Sequence, residues 1–310
     1  MNHFSIRDIE NLSGIKAHTL RVWEQRFNLI SPKRKAGNHR FYDNEDLKYI
    51  LRIAYLYNKG YKISKIACLT EKEIHDLAVD VKYDKDNFEL FINWLMEASI
   101  DFDQERFESI LRTAESALGY EELVLKVIFP LLNKIGMLWL TGRVIPAHEH
   151  FASSFITNQL IVQIDRLPNP DPVMSRTVLL FAPRKEYHEI PLLFMWYLLK
   201  KNNVNVAYLG TNTDIDVVVH YCSRQPVTDL YFYLLTNLAD CNIDKYLTHL
   251  SDKIPDKAIF FAGAHGCKVT RQPPNVTFLN STKELLEFTK RGGPQSFEHG
   301  QSLAMNRQMK

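Results

Sequence analysis

The C-terminal third of the chain is punctuated by short, uniformly apolar runs: Val178–Ala182, Val204–Leu209, Leu230–Leu235, Ala258–Ala262 and Val276–Leu279. A strand with one wet face alternates apolar and polar residues, whereas a continuous apolar run of this length suits a strand covered on both faces. Amphipathic helical patterns separate most of the runs. The alternation predicts a doubly wound, flavodoxin-like (Rossmann-like) parallel sheet of about five strands over residues 173–290. In such a sheet a ligand sits outside the carboxyl ends of the strands.

The loop after the first run is Pro183-Arg184-Lys185-Glu186-Tyr187-His188-Glu189-Ile190-Pro191. It places His188 where a doubly wound sheet binds ligands. A neutral imidazole there can ligate a metal, with Glu186 orienting the ring from behind. An ordinary surface histidine is the alternative that the spacing leaves open.

Upstream lie amphipathic helices. Phe88, Phe91, Ile92, Leu95 and Met96 mark one, and Phe107, Ile110, Leu111, Ala114 and Leu118 a second that stops at Gly119. Leu123, Val124, Val127, Ile128, Leu131, Leu132 and Ile135 mark a third, with a kink expected at Pro130. Phe151, Phe155, Leu160 and Ile164 mark a fourth. Short connections predict an antiparallel four-helix bundle over residues 87–167. The proline-rich stretch Leu167–Pro172 ends it. Between the third and fourth helices, Thr141-Gly142 predicts a turn and Pro146 a helix start. That turn would bring Trp139, Glu149 and His150 to one end of the bundle. A core tryptophan and an ordinary acidic helix start would give the same pattern. A metal site of another kind using His148, His150 or His188 is disfavoured, because His148 and His150, two apart on a helix, point in different directions.

The N-terminal seventy residues read differently. Ser5 caps a helix carrying Ile6, Ile9 and Leu12, which Gly14 breaks. A second helix follows from Ala17 to Phe27 with Leu20, Trp23 and Phe27. Lys33, Arg34, Lys35 and Arg40 then flank a Gly37-Asn38 turn between short extended pieces, as in a β-hairpin wing. Asp43 opens a further helix that ends before Gly60. The whole chain has a net charge of only +2, yet residues 1–68 hold thirteen Lys and Arg against six Asp and Glu, a balance of +7. A basic module on a near-neutral protein is the footprint of contact with phosphates. Residues 71–86, a short capped helix and a polar segment, read as a linker. Residues 291–310 read as a polar, disordered tail.

Bulk properties exclude several classes. The chain is 45% apolar and 24% charged, which is globular composition. Cys68, Cys222, Cys241 and Cys267 are far apart, which argues against a zinc ribbon and fits reduced thiols in the cytoplasm. No apolar run approaches the roughly 18 residues of a membrane span, and the N-terminus lacks a signal peptide's apolar core.

Thr19-Leu20-Arg21-x-Trp23-Glu24, Leu29-Ile30-x-Pro32-x-Arg34 and Asn38-x-Arg40-Phe41-Tyr42 together resemble the winged helix-turn-helix of MerR-family regulators, in order and spacing, over residues 3–69. The resemblance implies that the helix from Lys16 to Arg26 enters the major groove of double-stranded operator DNA. Lys16, His18, Thr19, Arg21, Trp23, Arg26 and Arg34 are then DNA-binding candidates, with Arg40 and Tyr42 of the wing on the backbone. Many MerR-type proteins dimerise through a long coiled coil directly after this module. No heptad run follows here, so assembly must reside further along the chain.

Trp139, followed after nine residues by Glu149-His150, joined to Glu186-x-His188 on a flavodoxin-like sheet, resembles the paired cobalamin-binding domains. Behind a MerR module the arrangement is similar to the CarH/LitR-type photoreceptor repressors. The resemblance implies adenosylcobalamin as cofactor, with His188 as the cobalt ligand. Trp139, Glu149 and His150 would cover the upper face. Thr236, Leu238, Gly263 and Ala264, with Glu186, would complete the pocket. It further implies a ligand-dependent dimer or tetramer, controlled by light and acting as a transcription regulator rather than an enzyme. The pocket departs from the family at Pro191 and Ala264, where glycines are usual. Two alternatives therefore stand beside this reading. One is a cofactor-independent regulator whose altered pocket binds an antirepressor or activator protein. The other is a corrinoid carrier subunit of an enzyme, against which the N-terminal module argues.

Overall fold

The computed structural model describes residues 3–34, 40–80, 88–140, 146–171, 176–235, 242–263 and 269–291, and of residues 79, 80, 139 and 140 the backbone alone. Its packing divides the chain into two compact units, Met1–Ile156 and Thr157–Lys310.

The first unit begins with α1 (Ile6–Ser13), opened by a reciprocal capping box: the Asp8 N–H donates to the Ser5 hydroxyl, and the Ser5 N–H donates to the Asp8 carboxylate at 2.6 Å. α1 closes at Gly14, whose φ of 72° is a left-handed cap reached without a Cβ clash. α2 (Ala17–Phe27) follows. Then β1 (Lys33–Arg34) pairs antiparallel with β2 (Arg40–Phe41). A second capping box, Asp43 with Asp46, opens α3 (Asn44–Asn58), which is followed by α4 (Ile63–Ile66) and α5 (Glu71–Asp80). Phe4, Ile9, Leu12, Leu20, Trp23, Leu47, Leu51 and Ala54 are all buried and form the centre of this head.

Four helical layers follow. They are α6 (Phe88–Asp101), α7 (Gln104–Leu118), a run made of α8 (Tyr120–Glu122), a π-helical turn (Leu123–Ile128) and α9 (Phe129–Leu140), and α10 (Pro146–Arg166). The irregularity expected at Pro130 is the π turn just ahead of it. The Phe129 N–H reaches back five residues to Val124 O. Pro130 has no N–H with which to continue a 3.6-residue ladder, and widening the turn accommodates its ring. α10 starts at Pro146, as the sequence predicts. The Thr141-Gly142 turn lies outside the described residues.

Ion pairs lock the head to the bundle. Glu97 of α6 is fully buried and accepts from two guanidinium groups. Arg52 of α3 contacts both carboxylate oxygens, at 3.0 and 2.8 Å, and Arg106 of α7 contacts one at 2.8 Å. Lys48, one turn earlier on α3, reaches Asp101 at 2.9 Å. From α9, Lys134 donates to Leu12 O at 2.9 Å, and burial pushes its ammonium below the usual lysine range. Lys48 and Arg52 belong to the +7 of the N-terminal segment, yet both point inward to bundle carboxylates.

The second unit is the expected α/β layer structure. Its strands are β3 (Thr177–Pro183), β4 (Asn205–Thr213), β5 (Asp229–Tyr233), β6 (Ala258–Ala262) and β7 (Val276–Phe278). All neighbours pair in parallel in the order β4-β3-β5-β6-β7. The helices are α11 (Ile190–Lys201), α12 (Ile215–Arg224), α13 (Ile243–Lys253) and α14 (Thr282–Lys290). Leu179, Phe181, Leu230, Phe232, Ile259 and Phe261 face one core layer; Val178, Leu180, Tyr231 and Phe260 face the other. Two-sided burial is what the unbroken apolar runs require. Arg176 ties the sheet to α14: its Nε donates to Asp229 at 2.9 Å and its Nη1 to Phe288 O at 2.8 Å.

Replacing Glu97 by Gln leaves Arg52 and Arg106 facing a neutral amide. Breaking a buried pair on one side costs about 3 kcal/mol. The Glu97→Gln protein should show that loss of unfolding free energy in urea, read by circular dichroism. An unchanged midpoint would show that the pair contributes nothing net.

Candidate nucleic-acid interface and cofactor site

α2 is anchored from beneath and exposed above. Leu20 and Trp23 lie in the core of the head, and Trp23 meets Tyr57 edge to face at 5.1 Å. Lys16, His18, Arg21 and Arg26 are exposed on the same helix and Thr19 is half-buried. Trp23 is 2% exposed and Tyr42 is 1% exposed. The sequence reading placed both among DNA-contacting residues, but in this structure each presents packing rather than surface. Tyr42 exchanges two backbone hydrogen bonds with Phe4, at 2.8 and 2.9 Å, which staples the wing to the N-terminus. Burial, with the nearby Glu24 carboxylate, pushes its hydroxyl above the usual tyrosine range.

On the wing, Arg34 and Arg40 stand directly opposite across the β1–β2 ladder. Like charges in that register are unfavourable unless a polyanion lies beside them. Arg40 also bonds Glu24 of α2 at 3.3 Å, which fixes its stem against that helix. Lys33 pairs with Asp43. The Gly37-Asn38 turn and Lys35 lie outside the described residues.

The second candidate site lies on the α/β unit. Glu186 follows the carboxyl end of β3 and is fully buried. Its Oε1 accepts the His188 backbone N–H at 3.0 Å and meets His188 Nδ1 at 2.5 Å; its Oε2 accepts the Leu235 N–H at 2.8 Å. Leu235 lies just past β5. The carboxylate therefore bridges the ends of β3 and β5, which are the strands on either side of the reversal in strand order. That is the crevice where doubly wound sheets bind ligands. With the ring proton on Nδ1 and donated to Glu186, the imidazole lone pair is at Nε2, which is the form that ligates a metal. Burial, with the nearby Glu186 carboxylate second, pushes the Tyr233 hydroxyl above the usual tyrosine range.

Gly263, just past β6, has a φ of 124°, and a Cβ there would sit 2.0 Å from Leu234 O. The approach of two strand ends forbids any side chain at this position. Pro191 is in the first turn of α11, where a missing N–H breaks no bond. Glu189, at the N-cap, accepts from the Tyr208 hydroxyl at 2.9 Å.

On the bundle, Glu149 and His150 occupy the first turn of α10, with Oε2 and Nδ1 3.2 Å apart, and the His150 side chain is 73% exposed. Trp139 lies on α9, but its side chain, like Thr236, Leu238 and Ala264, is outside the described residues. The sequence does not point to Phe102, and it names His148 only as a disfavoured metal ligand. Phe102 adopts a φ of 53° between α6 and α7 and stacks on buried His148 with centroids 4.4 Å apart. A bulky residue at positive φ is a genuine outlier, and no pattern of residue types announces it.

Residues 4–73 match the family model of the MerR HTH family regulatory protein, and residues 92–161 match that of the B12 binding domain. The chain thus joins a MerR-type helix-turn-helix region to a B12-binding region. Among known proteins it is homologous to two repressors of Myxococcus xanthus. It is 29% identical over 210 residues to the HTH-type transcriptional repressor CarA, covering 67% of this chain and 68% of CarA. It is 25% identical over 213 residues to the repressor CarH, covering 67% of this chain and 70% of CarH. Among solved structures, the monomethylamine corrinoid protein of Methanosarcina barkeri has a TM-score of 0.46 at 14% identity, covering 69% of this chain and 96% of that one. Among the described residues no helix is long and apolar enough to cross a membrane.

Arg40→Ala removes one cation from the wing. Binding to any duplex should weaken, and the slope of log K against log salt should become shallower by about 0.9 for the lost phosphate contact. An unchanged slope in a salt titration of the full-length protein would remove Arg40 from the interface.

Proposed function

We propose that this protein is a transcriptional repressor whose oligomerisation and operator binding are controlled by adenosylcobalamin and light. The observation that carries the reading is the buried Glu186 holding His188 Nδ1 at the reversal in strand order of the sheet. A histidine tied at Nδ1 has the donor chemistry of an axial cobalt ligand, and the carboxylate fixes its tautomer. Homology to CarA and CarH supports the same reading.

In this proposal His188 would ligate cobalt and Glu186 would orient it. Trp139, Glu149 and His150 would recognise the adenosyl group, and Thr236, Leu238, Gly263 and Ala264 would receive the nucleotide tail. Lys16, His18, Thr19, Arg21, Arg26, Arg34 and Arg40 contact operator DNA, with Trp23 and Tyr42 supporting them from below. The corresponding division is a head (1–70), a linker (71–86), a cap bundle (87–167), a cofactor domain (173–290) and a tail (291–310). The protein works in the cytoplasm and is not an enzyme. Adenosylcobalamin supplies a cobalt–carbon bond that light breaks. The chain's task is to sense the group on the upper face and to translate its presence into self-association. Several low-affinity heads then engage DNA at once, so affinity rises without any new contact per head.

Incubation with adenosylcobalamin in the dark should give a coloured protein that sediments as a dimer or tetramer. The cofactor-free chain should be monomeric or weakly associating. His188→Ala should lose the histidine-bound spectrum and weaken binding. Trp139→Ala should bind cobalamin but fail to assemble in the dark. Green light should dissociate the wild-type assembly and release DNA. If both wild type and Pro191→Gly stay colourless well above micromolar cofactor, the photoreceptor reading fails. A cofactor-independent regulator that binds a protein partner then takes its place.

A further inference from the structure

β3 and β4 pair in step from Thr177↔Asn205 to Leu180↔Tyr208 and then lose register. β4 takes five residues from Tyr208 to Thr213, where β3 takes three from Leu180 to Pro183. Gly210 and Asn212 absorb the excess at φ of 78° and 55°. Irregularities of this kind re-aim side chains beside functional sites. Here the buckle lifts Asn212 beside the loop that carries the candidate ligand. Its backbone N–H donates to Glu186 O at 3.0 Å, and its side-chain Oδ1 accepts the Lys185 N–H at 2.8 Å. Lys185 itself is at a φ of 68°, a conformation that a lysine adopts only when its surroundings hold it there. Asparagine is among the few non-glycine residues that tolerate this region, and its amide oxygen adds an acceptor that glycine lacks. The nearby Arg184–Asp214 pair is 3.7 Å long and exposed at both ends, so it holds the loop weakly.

We propose that Asn212 is the positioning residue that sets the Glu186–His188 pair in its ligating geometry, by pinning the backbone on both sides of the Lys185–Glu186 peptide. The inference rests on the cobalamin reading for its purpose, but its geometry can be read without the cofactor. The Glu186 carboxylate reaches His188 Nδ1 and the Leu235 N–H together only if its Cα stays where the loop puts it. Asn212 fixes that Cα from the adjacent edge strand.

The test compares full-length wild type with Asn212→Gly, Asn212→Ala and Asn212→Asp. Two signals are read. The first is the downfield Nδ1–H proton resonance of His188 in cofactor-free protein, assigned by its loss in His188→Ala. The second is affinity for aquocobalamin with its histidine-bound absorption spectrum. Asn212→Gly keeps the left-handed backbone but removes the acceptor. It should lose the sharp resonance to solvent exchange and bind aquocobalamin about tenfold more weakly, the size of one hydrogen bond. Asn212→Ala should do the same. Asn212→Asp keeps an acceptor and tolerates the backbone, so both signals should return. The proposal is overturned if Asn212→Gly keeps the resonance and the affinity, or if Asn212→Asp restores neither while remaining folded by circular dichroism. If the wild type binds no aquocobalamin, the cofactor reading falls, and the resonance alone still decides the role of Asn212.

Discussion

A carboxyl group with no exposure to water must find hydrogen-bond partners within the protein in place of its hydration shell. Glu186 meets that condition with two backbone N–H groups and one ring nitrogen, drawn from the loop after β3 and the end of β5. The rest of the site follows from it. The ring of His188 has its tautomer and direction set from behind, and the loop must take a course that keeps the Glu186 Cα within reach. The sheet must also bring β5 alongside β3 in parallel, so that the Leu235 N–H points into the same space. The order β4-β3-β5 does this, because helices leave β3 and β5 on opposite sides and open a crevice between their ends.

Glu97 imposes a comparable constraint on the other unit, with a different consequence. Two arginines on separate helices converge on it, one from the head and one from the bundle. A buried pair of this kind adds little net stability over a well-packed apolar contact, but leaving either partner alone is costly. Its effect is therefore to fix geometry. The head cannot rotate against the bundle without stranding a charge. Among the described residues this pair seats the head directly on the bundle. It also revises the meaning of the basic segment. Part of the +7 is internal wiring between modules, while Lys16, Arg21 and Arg26 along α2 and Arg34 and Arg40 on the wing face outward.

The fold was legible where burial writes itself into residue type. Two-sided burial of β3, β5 and β6 produced the unbroken apolar runs. Ser5 with Asp8, and Asp43 with Asp46, announced helix starts through a reciprocal hydrogen-bond pattern. His188 and Glu186 were legible because a strand-to-helix loop is where such sheets bind ligands. Other features left no trace in the pattern. Trp23 and Tyr42 belong to the MerR-like motif, and a motif does not say whether a residue is there for contact or for packing; in this structure both are buried in the head. Asn212 was invisible because its role depends on a loss of register between two strands, and β-bulges have no reliable residue signature. The pairing of Arg52 with Glu97 spans 45 residues and could not be read from either helix alone.

The pocket departs from the cobalamin-binding pattern at Pro191 and Ala264, and Ala264 lies outside the described residues. Gly263 keeps the first glycine of its pair, and the structure gives a reason that involves no ligand: any side chain would collide with Leu234 O. Its retention therefore follows from the sheet and says nothing for or against a nucleotide tail. Pro191 stands where the pattern has glycine, yet in the first turn of α11 it breaks no backbone hydrogen bond, and its fixed φ favours the helix. Whatever proline excludes there, it excludes by the volume of its ring and not by distorting α11. The Glu186–His188 contact lies in the loop ahead of α11 and does not depend on that ring. In the proposed cobalamin site the residues that would hold the metal are therefore separate from those that would receive the tail, and the two halves must be judged separately.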